Sequence, residues 1–319
     1  MLLWIVFAVA VTALLAVDLG VFHRRPHEIK FTEALGWSAV WLAAALLFMG
    51  GVYVRRGSEH ALSFLAGYLV EWSLSADNVF IFLMLFSYFR VPSPSQHKVL
   101  FWGIIGAVIM RAILITTGIA LIRSVHWIVY VFGVFLAVTG ARMALRRDEA
   151  VHPERNPVFR LVRRVLPMTT DYRGSRFFVR ENSAWMITPL FLVLAVVEST
   201  DIAFAVDSVP AVLAITTDPF VVYTSNIFAI LGLRSLYFVL AGIMPLFHYL
   251  KYGLAAILVF VGAKMVLSDV LPIPTHVALV VVAVALFASI GLSLLLPPPP
   301  APPRQEGQKR QEGQHGTAA

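Results

Sequence analysis

The sequence predicts an all-α, polytopic membrane protein with nine transmembrane helices and an inverted three-plus-three helix repeat. Three observations lead there. Only 13% of the 319 residues are charged and the mean hydropathy is +0.81, outside the range of soluble domains. The apolar residues gather in runs long enough to cross a bilayer. Two stretches of the chain also resemble each other. The chain has no cysteine, which excludes disulfides, thiolate metal sites and cysteine nucleophiles. With no soluble domain to carry a basic groove, the expected partner is the lipid bilayer and not nucleic acid.

The spanning segments read, in order, about 1–22, 32–54, 61–89, 98–122, 126–146, 184–214, 219–247, 249–268 and 276–296. The first begins Met1-Leu2-Leu3-Trp4, without a basic leader or a small-residue cleavage site, and reads as a retained helix. It forms an N-terminal two-helix segment, 1–60, with the second. The next three make repeat unit 1, 61–146. A basic loop, 147–183, follows, and its stretch from Phe159 to Leu166 has the mixed Arg and apolar character of an interfacial helix. Repeat unit 2 covers 184–270. Within it, Asp218-Pro219 reads as an N-cap with proline at the first helical position. A last transmembrane helix lies in 271–296. The tail, 297–319, is Pro-rich and then polar, and is expected to be disordered.

Lys and Arg set the orientation. With loop 147–183 in the cytoplasm, eighteen basic residues fall inside and three (Arg55, Arg56 and Arg123) outside. The positive-inside rule therefore favours the N-terminus outside and the C-terminus in the cytoplasm. The Arg55-Arg56 pair dissents mildly.

The self-similarity carries the functional reading. Glu71-Trp-Ser-Leu-Ser-Ala-Asp77-Asn78-Val79 aligns with Asp201-Ile-Ala-Phe-Ala-Val-Asp207-Ser208-Val209. Arg111 matches Arg234, and Gly140-Ala-Arg142-Met143 matches Gly262-Ala-Lys264-Met265. Each unit holds three helices. An odd number reverses direction, so the second unit enters the membrane from the opposite side, as in many secondary transporters. Pro210 cannot donate to the Val206 carbonyl, so a kink or break is expected beside Asp207.

Five carboxylates (Glu71, Asp77, Glu198, Asp201 and Asp207) lie inside apolar segments. An ionised carboxylate in hydrocarbon is costly, so such residues face a bundle interior, a partner charge or an ion path. At 100° per residue Glu71, Ser75 and Asn78 share one stripe, while Asp77 lies about 120° from Glu71. The two acid-bearing helices are expected to approach each other. Arg111 and Arg234 are the counter-charges, leaving a surplus of three negative charges that a divalent cation and bound protons can offset. Competition of both for the same oxygens would couple metal movement to proton movement. The donors on offer are carboxylates, the Asn78 amide and the hydroxyls of Ser75, Ser199, Thr200 and Ser208. These hard oxygens suit Mn²⁺, Mg²⁺ or Ca²⁺ better than copper or zinc. His126, His248 and His276 lie near segment ends, where an interfacial role is expected. The structural alternative is that the acid–arginine pairs only bind helices together.

On these motifs the chain resembles the TerC family of integral membrane proteins, which includes Alx-type members. The resemblance rests on Glu71 to Phe80, on Glu198-Ser-Thr-Asp201 to Ala211, and on Gly-Leu-Arg234-Ser-Leu-Tyr237, and covers roughly 1–270. It implies a multi-pass protein of the bacterial inner membrane, within the wider LysE-like transporter group, linked to manganese export and historically to tellurite resistance. It also implies that Glu71, Asp77, Asn78, Asp201 and Asp207, with Glu198 beside them, line a metal path. The expected function is export of a hard divalent cation, Mn²⁺ first, in exchange for protons, with Asp77 and Asp207 as central ligands and Glu71, Glu198 and Asp201 as ligands or proton carriers. The alternative is export of another substrate class, an amino acid or a tellurium oxyanion, with the acids as proton carriers. An oxyanion, however, favours arginines and helix N-termini over carboxylates. An enzyme is not expected: no Gly-x-Gly-Asp motif of an intramembrane aspartyl protease occurs.

Overall fold

A computed structural model describes residues 2–22, 31–125, 127–145, 153–181, 184–243 and 249–296. The tail, the loop's first residues, His126 and His248 fall outside this set, as do the side chains of Asp18, Asp77 and Arg234. Each apolar segment corresponds to a long helix: α1 (Leu2–Phe22), α2 (Phe31–Arg56), α3 (Ser58–Tyr88), α4 (Ser93–Ser124), α5 (Ile128–Leu145), α7 (Pro189–Leu213), α8 (Pro219–Ile243), α9 (Leu250–Val266) and α10 (Thr275–Leu295). Among the described residues, α2, α3, α4, α5, α7 and α10 are long and apolar enough to cross a membrane. The chain is thus a mainly α-helical, polytopic membrane protein.

Local chemistry sets several helix ends. Gly57 separates α2 from α3 at φ +88°, a left-handed value that a side chain would strain. Asp218 caps α8 as expected: its Oδ1 accepts from the amides of Phe220 and Val221, and Pro219 occupies the first turn. The other oxygen of Asp218 takes the Arg56 guanidinium at 2.8 Å. That contact accounts for one of the two arginines that dissented from the charge rule.

Two expectations need correction. Residues 184–187 do not begin the sixth apolar helix. They form strand β2 (Ala184–Ile187), paired antiparallel with β1 (Phe178–Glu181), with Arg180 opposite Trp185. Pro189 explains the late start of α7, since proline is accommodated in the first turn of a helix. The all-α reading therefore misses a small hairpin. Second, α7 is continuous through Pro210, so of the kink or break expected beside Asp207, the break does not occur. The loop does contain a helix where one was expected, α6 (Pro157–Val165), with Asn156 as N-cap.

In the bundle, α3 packs on α8, α4 on α7, and α5 on α9. The α5–α9 crossing is close enough to require glycine. A Cβ at Gly262 would lie 2.5 Å from the Gly133 carbonyl oxygen, and one at Gly140 2.7 Å from that of Ala255. Small residues that let backbones approach are the usual means of helix packing in lipid. A second cluster of aromatics (Phe7, Phe48, Phe64, Phe220 and Phe228) docks α1 and α2 onto α3 and α8. Large apolar side chains such as Leu47, Ile109, Val284 and Phe287 point outward and exposed, as a lipid-facing surface requires.

Replacing Gly262 by leucine should force α5 and α9 apart and destabilise the fold by about 1–3 kcal/mol. A lowered melting temperature in detergent checks this. An unchanged melt would mean that the crossing is loose.

Candidate functional site

The centre of the bundle is organised by one guanidinium. Arg111, midway along α4, is 1% exposed. An arginine does not lose its proton at any accessible pH, so the surroundings must supply its counter-charges. Glu71 of α3, fully buried, forms a close ion pair with Nη1. Asp201 of α7 lies 3.5 Å from Nη2. Nη1 also donates to Ser208 Oγ of α7 and to Asn226 Oδ1 of α8, each at 3.2 Å. Asn226 then turns its amide nitrogen to the other oxygen of Glu71 at 2.9 Å, and Ser75 reaches Glu71 from one turn away at 3.5 Å. Four helices thus share one charge network.

Two polar atoms of this cluster, Arg111 Nε and Asp201 Oδ2, have no hydrogen-bond partner among the described residues. Burying either atom unpaired is unfavourable. Asp201 borders a cavity of about 20 Å³, whose other walls are mostly apolar, including Phe82, Leu100, Ala107 and Val197. That volume is enough for one water molecule.

The structure sorts the residues singled out in the sequence. Glu71 and Asp201, which the repeat aligns with each other, come together at Arg111, which the repeat aligns with Arg234. Glu198 is half-buried on α7, with its carboxylate against Gly106 of α4, where a methyl group would collide with it. Asn78 is buried on α3. Asp207 is half-buried beside Thr139 of α5, so it has a different neighbour from Asp201. Asp77 and Arg234 lie on α3 and α8, with side chains outside the described set. The hydroxyls of Ser199 and Thr200, offered as donors, bond back to the Val196 carbonyl. Among the described residues, no three acids or histidines converge closely enough to form a metal-ligand cluster.

Asn226 was missed by sequence reasoning. Its signal was the polar run Thr224-Ser225-Asn226 within an apolar segment, all three side chains now fully buried.

A polytopic helical bundle with a buried, shared charge network at its centre defines the class: an integral membrane protein with a polar site inside the bilayer. The chain belongs to the TerC family. Residues 56–297 match the model of the integral membrane protein TerC family. An uncharacterised membrane protein of Myxococcus xanthus is 52% identical over 92% of this chain and 92% of its own length. A protein of Escherichia coli K12 named "Putative membrane-bound redox modulator Alx" is 49% identical over 88% of this chain and 90% of its own length. A membrane protein of Rickettsia felis is 39% identical over 92% and 97%. No solved structure matches the chain.

Removing one partner of a buried ion pair leaves the other charge unpaired in a low-dielectric interior. Arg111→Met should therefore destabilise the protein by about 3–5 kcal/mol. Asn226→Ala, which strips only a neutral hydrogen bond from Glu71, should cost about 1–3 kcal/mol. Thermal melts of both variants in detergent check the order, and equal losses would refute it.

Proposed function

We propose that this chain is a transporter of the bacterial plasma membrane that exports a hard divalent cation, Mn²⁺ first among the candidates. In this reading all nine long helices span the bilayer, with the N-terminus outside and the C-terminus in the cytoplasm. The single observation that carries the reading is the Arg111 guanidinium, held among oxygens from three other helices. A place built to hold positive charge in the bundle interior is a place a travelling cation can contest. Glu71 and Asp201 outnumber Arg111 by one negative charge, and every donor around it is a hard oxygen.

The inverted repeat has support in the packing. Exchanging α3 with α7, α4 with α8 and α5 with α9 turns the α3–α8 pair into α7–α4 and leaves α5–α9 in place. The aligned glycines Gly140 and Gly262 behave likewise, because the Gly133–Gly262 contact becomes Ala255–Gly140. Glu71 and Asp201, equivalent in the repeat, meet the same guanidinium. Rocking of one unit against the other would then open the site to each side in turn.

In this mechanism Glu71 and Asp201 are ligands when the cation is present and partners of Arg111 when it has left. Asp77 and Asp207, with Asn78, extend the path along α3 and α7, and Glu198 adds a carboxylate one turn from Asp201. Arg234 is the second unit's counter-charge, and protons on the acids balance the return step. The redox wording in the names of the Alx relatives fits an indirect route. This chain has no thiol to exchange electrons, whereas control of a redox-active metal changes the redox state of a cell. An oxyanion substrate fits poorly, since the described cluster holds more carboxylates than arginines.

Inside-out vesicles containing the protein should accumulate radioactive Mn²⁺, and Asp201→Asn should reduce uptake to background while the protein remains folded. Wild-type vesicles that exclude Mn²⁺ but move an amino acid or an oxyanion would reject the cation reading. Unaltered uptake in Asp201→Asn would remove this cluster from the path.

A further inference from the structure

The extramembrane unit between α5 and α7 carries a surface that the charge cluster does not use. At 100° per residue, α6 has three faces. Val158, Phe159 and Val162 turn inward, and Phe159 is buried against Phe89 with 6.1 Å between ring centroids. Arg160, Arg163 and Arg164 form a second, exposed face. Leu161 and Val165 form a third, 61% and 64% exposed. A stripe of apolar side chains beside a stripe of cations is the pattern of a helix lying in a membrane interface.

The helix is also firmly placed. Asn156 caps it through Oδ1, while its amide nitrogen donates to Ser199 Oγ of α7 at 2.8 Å. Tyr88, at the end of α3, donates to Glu154. Arg160 folds back on the carbonyls of Glu154 and Arg155, which fixes its direction. Residues 153–187 contain seven arginines and three acids, and Trp185 of the hairpin, opposite Arg180, is 68% exposed. Tryptophan and arginine are the residues that settle at lipid headgroups. The cations here are all arginine, whose planar fork matches phosphate oxygens in pairs.

We propose that α6, with the β1–β2 hairpin beside it, is a seat for anionic phospholipid: the guanidinium groups of Arg160, Arg163 and Arg164 hold headgroup phosphates while Leu161 and Val165 enter the acyl boundary. The exposed apolar stripe favours a lipid over a soluble polyanion, which would use the arginines alone. The seat does not depend on the identity of the transported solute.

Native mass spectrometry of the full-length protein, supplied with phosphatidylglycerol, cardiolipin and phosphatidylcholine in equal amounts, tests it. The wild type should retain the two anionic lipids over phosphatidylcholine. Retention should fall about fivefold for each arginine removed in Arg163→Gln/Arg164→Gln. Leu161→Gln/Val165→Gln, with every charge intact, should also weaken it, and melting temperatures report that both variants are folded. Equal retention of all three lipids by the wild type, or unchanged retention in Arg163→Gln/Arg164→Gln, would overturn the seat. A loss in the arginine variant with none in the leucine–valine variant would also overturn it, in favour of a purely electrostatic polyanion contact.

Discussion

The structure depends on a permanent positive charge that has been taken out of water. Arg111 cannot discharge itself, and the bilayer offers nothing to solvate it. Its neighbours must therefore come to it. Glu71 arrives from α3, Asp201 and Ser208 from α7, and Asn226 from α8. Each contact fixes the rotation of one helix about its axis, and together they align four helices around one point. Apolar packing alone would do this weakly, because lipid tails are as good a solvent for leucine as another helix is.

Stability and function pull on this cluster in opposite directions. A fully satisfied network would hold the bundle rigid. Among the described residues the network is incomplete: Asp201 has one oxygen without a hydrogen-bond partner beside a cavity, and Arg111 one such nitrogen. An incompletely paired acid in the bundle centre is suited to exchanging partners. The glycine crossing of α5 and α9 is different, since backbone there meets backbone with no room for a side chain. The division suggests a firm frame around a centre that can change its contacts.

Much of the fold was legible in the sequence. Hydropathy located every long helix, and Asp218-Pro219 marked a helix start that the structure confirms in detail. The repeat singled out Glu71, Asp77, Asp201, Asp207, Arg111 and Arg234 before any contact was known. It ranked Asp77 and Asp207 as the central pair, whereas the acids that meet Arg111 are Glu71 and Asp201. Asp207 aligned as well as Asp201, yet its half-buried carboxylate meets Thr139. Asn226 lay in no aligned motif. The hairpin was hidden because Ala184-Trp-Met-Ile187 is as apolar as the helix that follows it, and short apolar runs do not separate strand from helix.

The sequence by itself determined that the chain is a helical membrane protein, where its helices run, and which buried charges had to be compensated. Those properties are local: hydropathy and ionisation belong to individual residues and short windows. Only the tertiary structure decided which partner each charge received. Six positions along a helix turn a side chain through about 120°, so Asp201 and Asp207 face different neighbours, and only packed helices define what lies opposite each one.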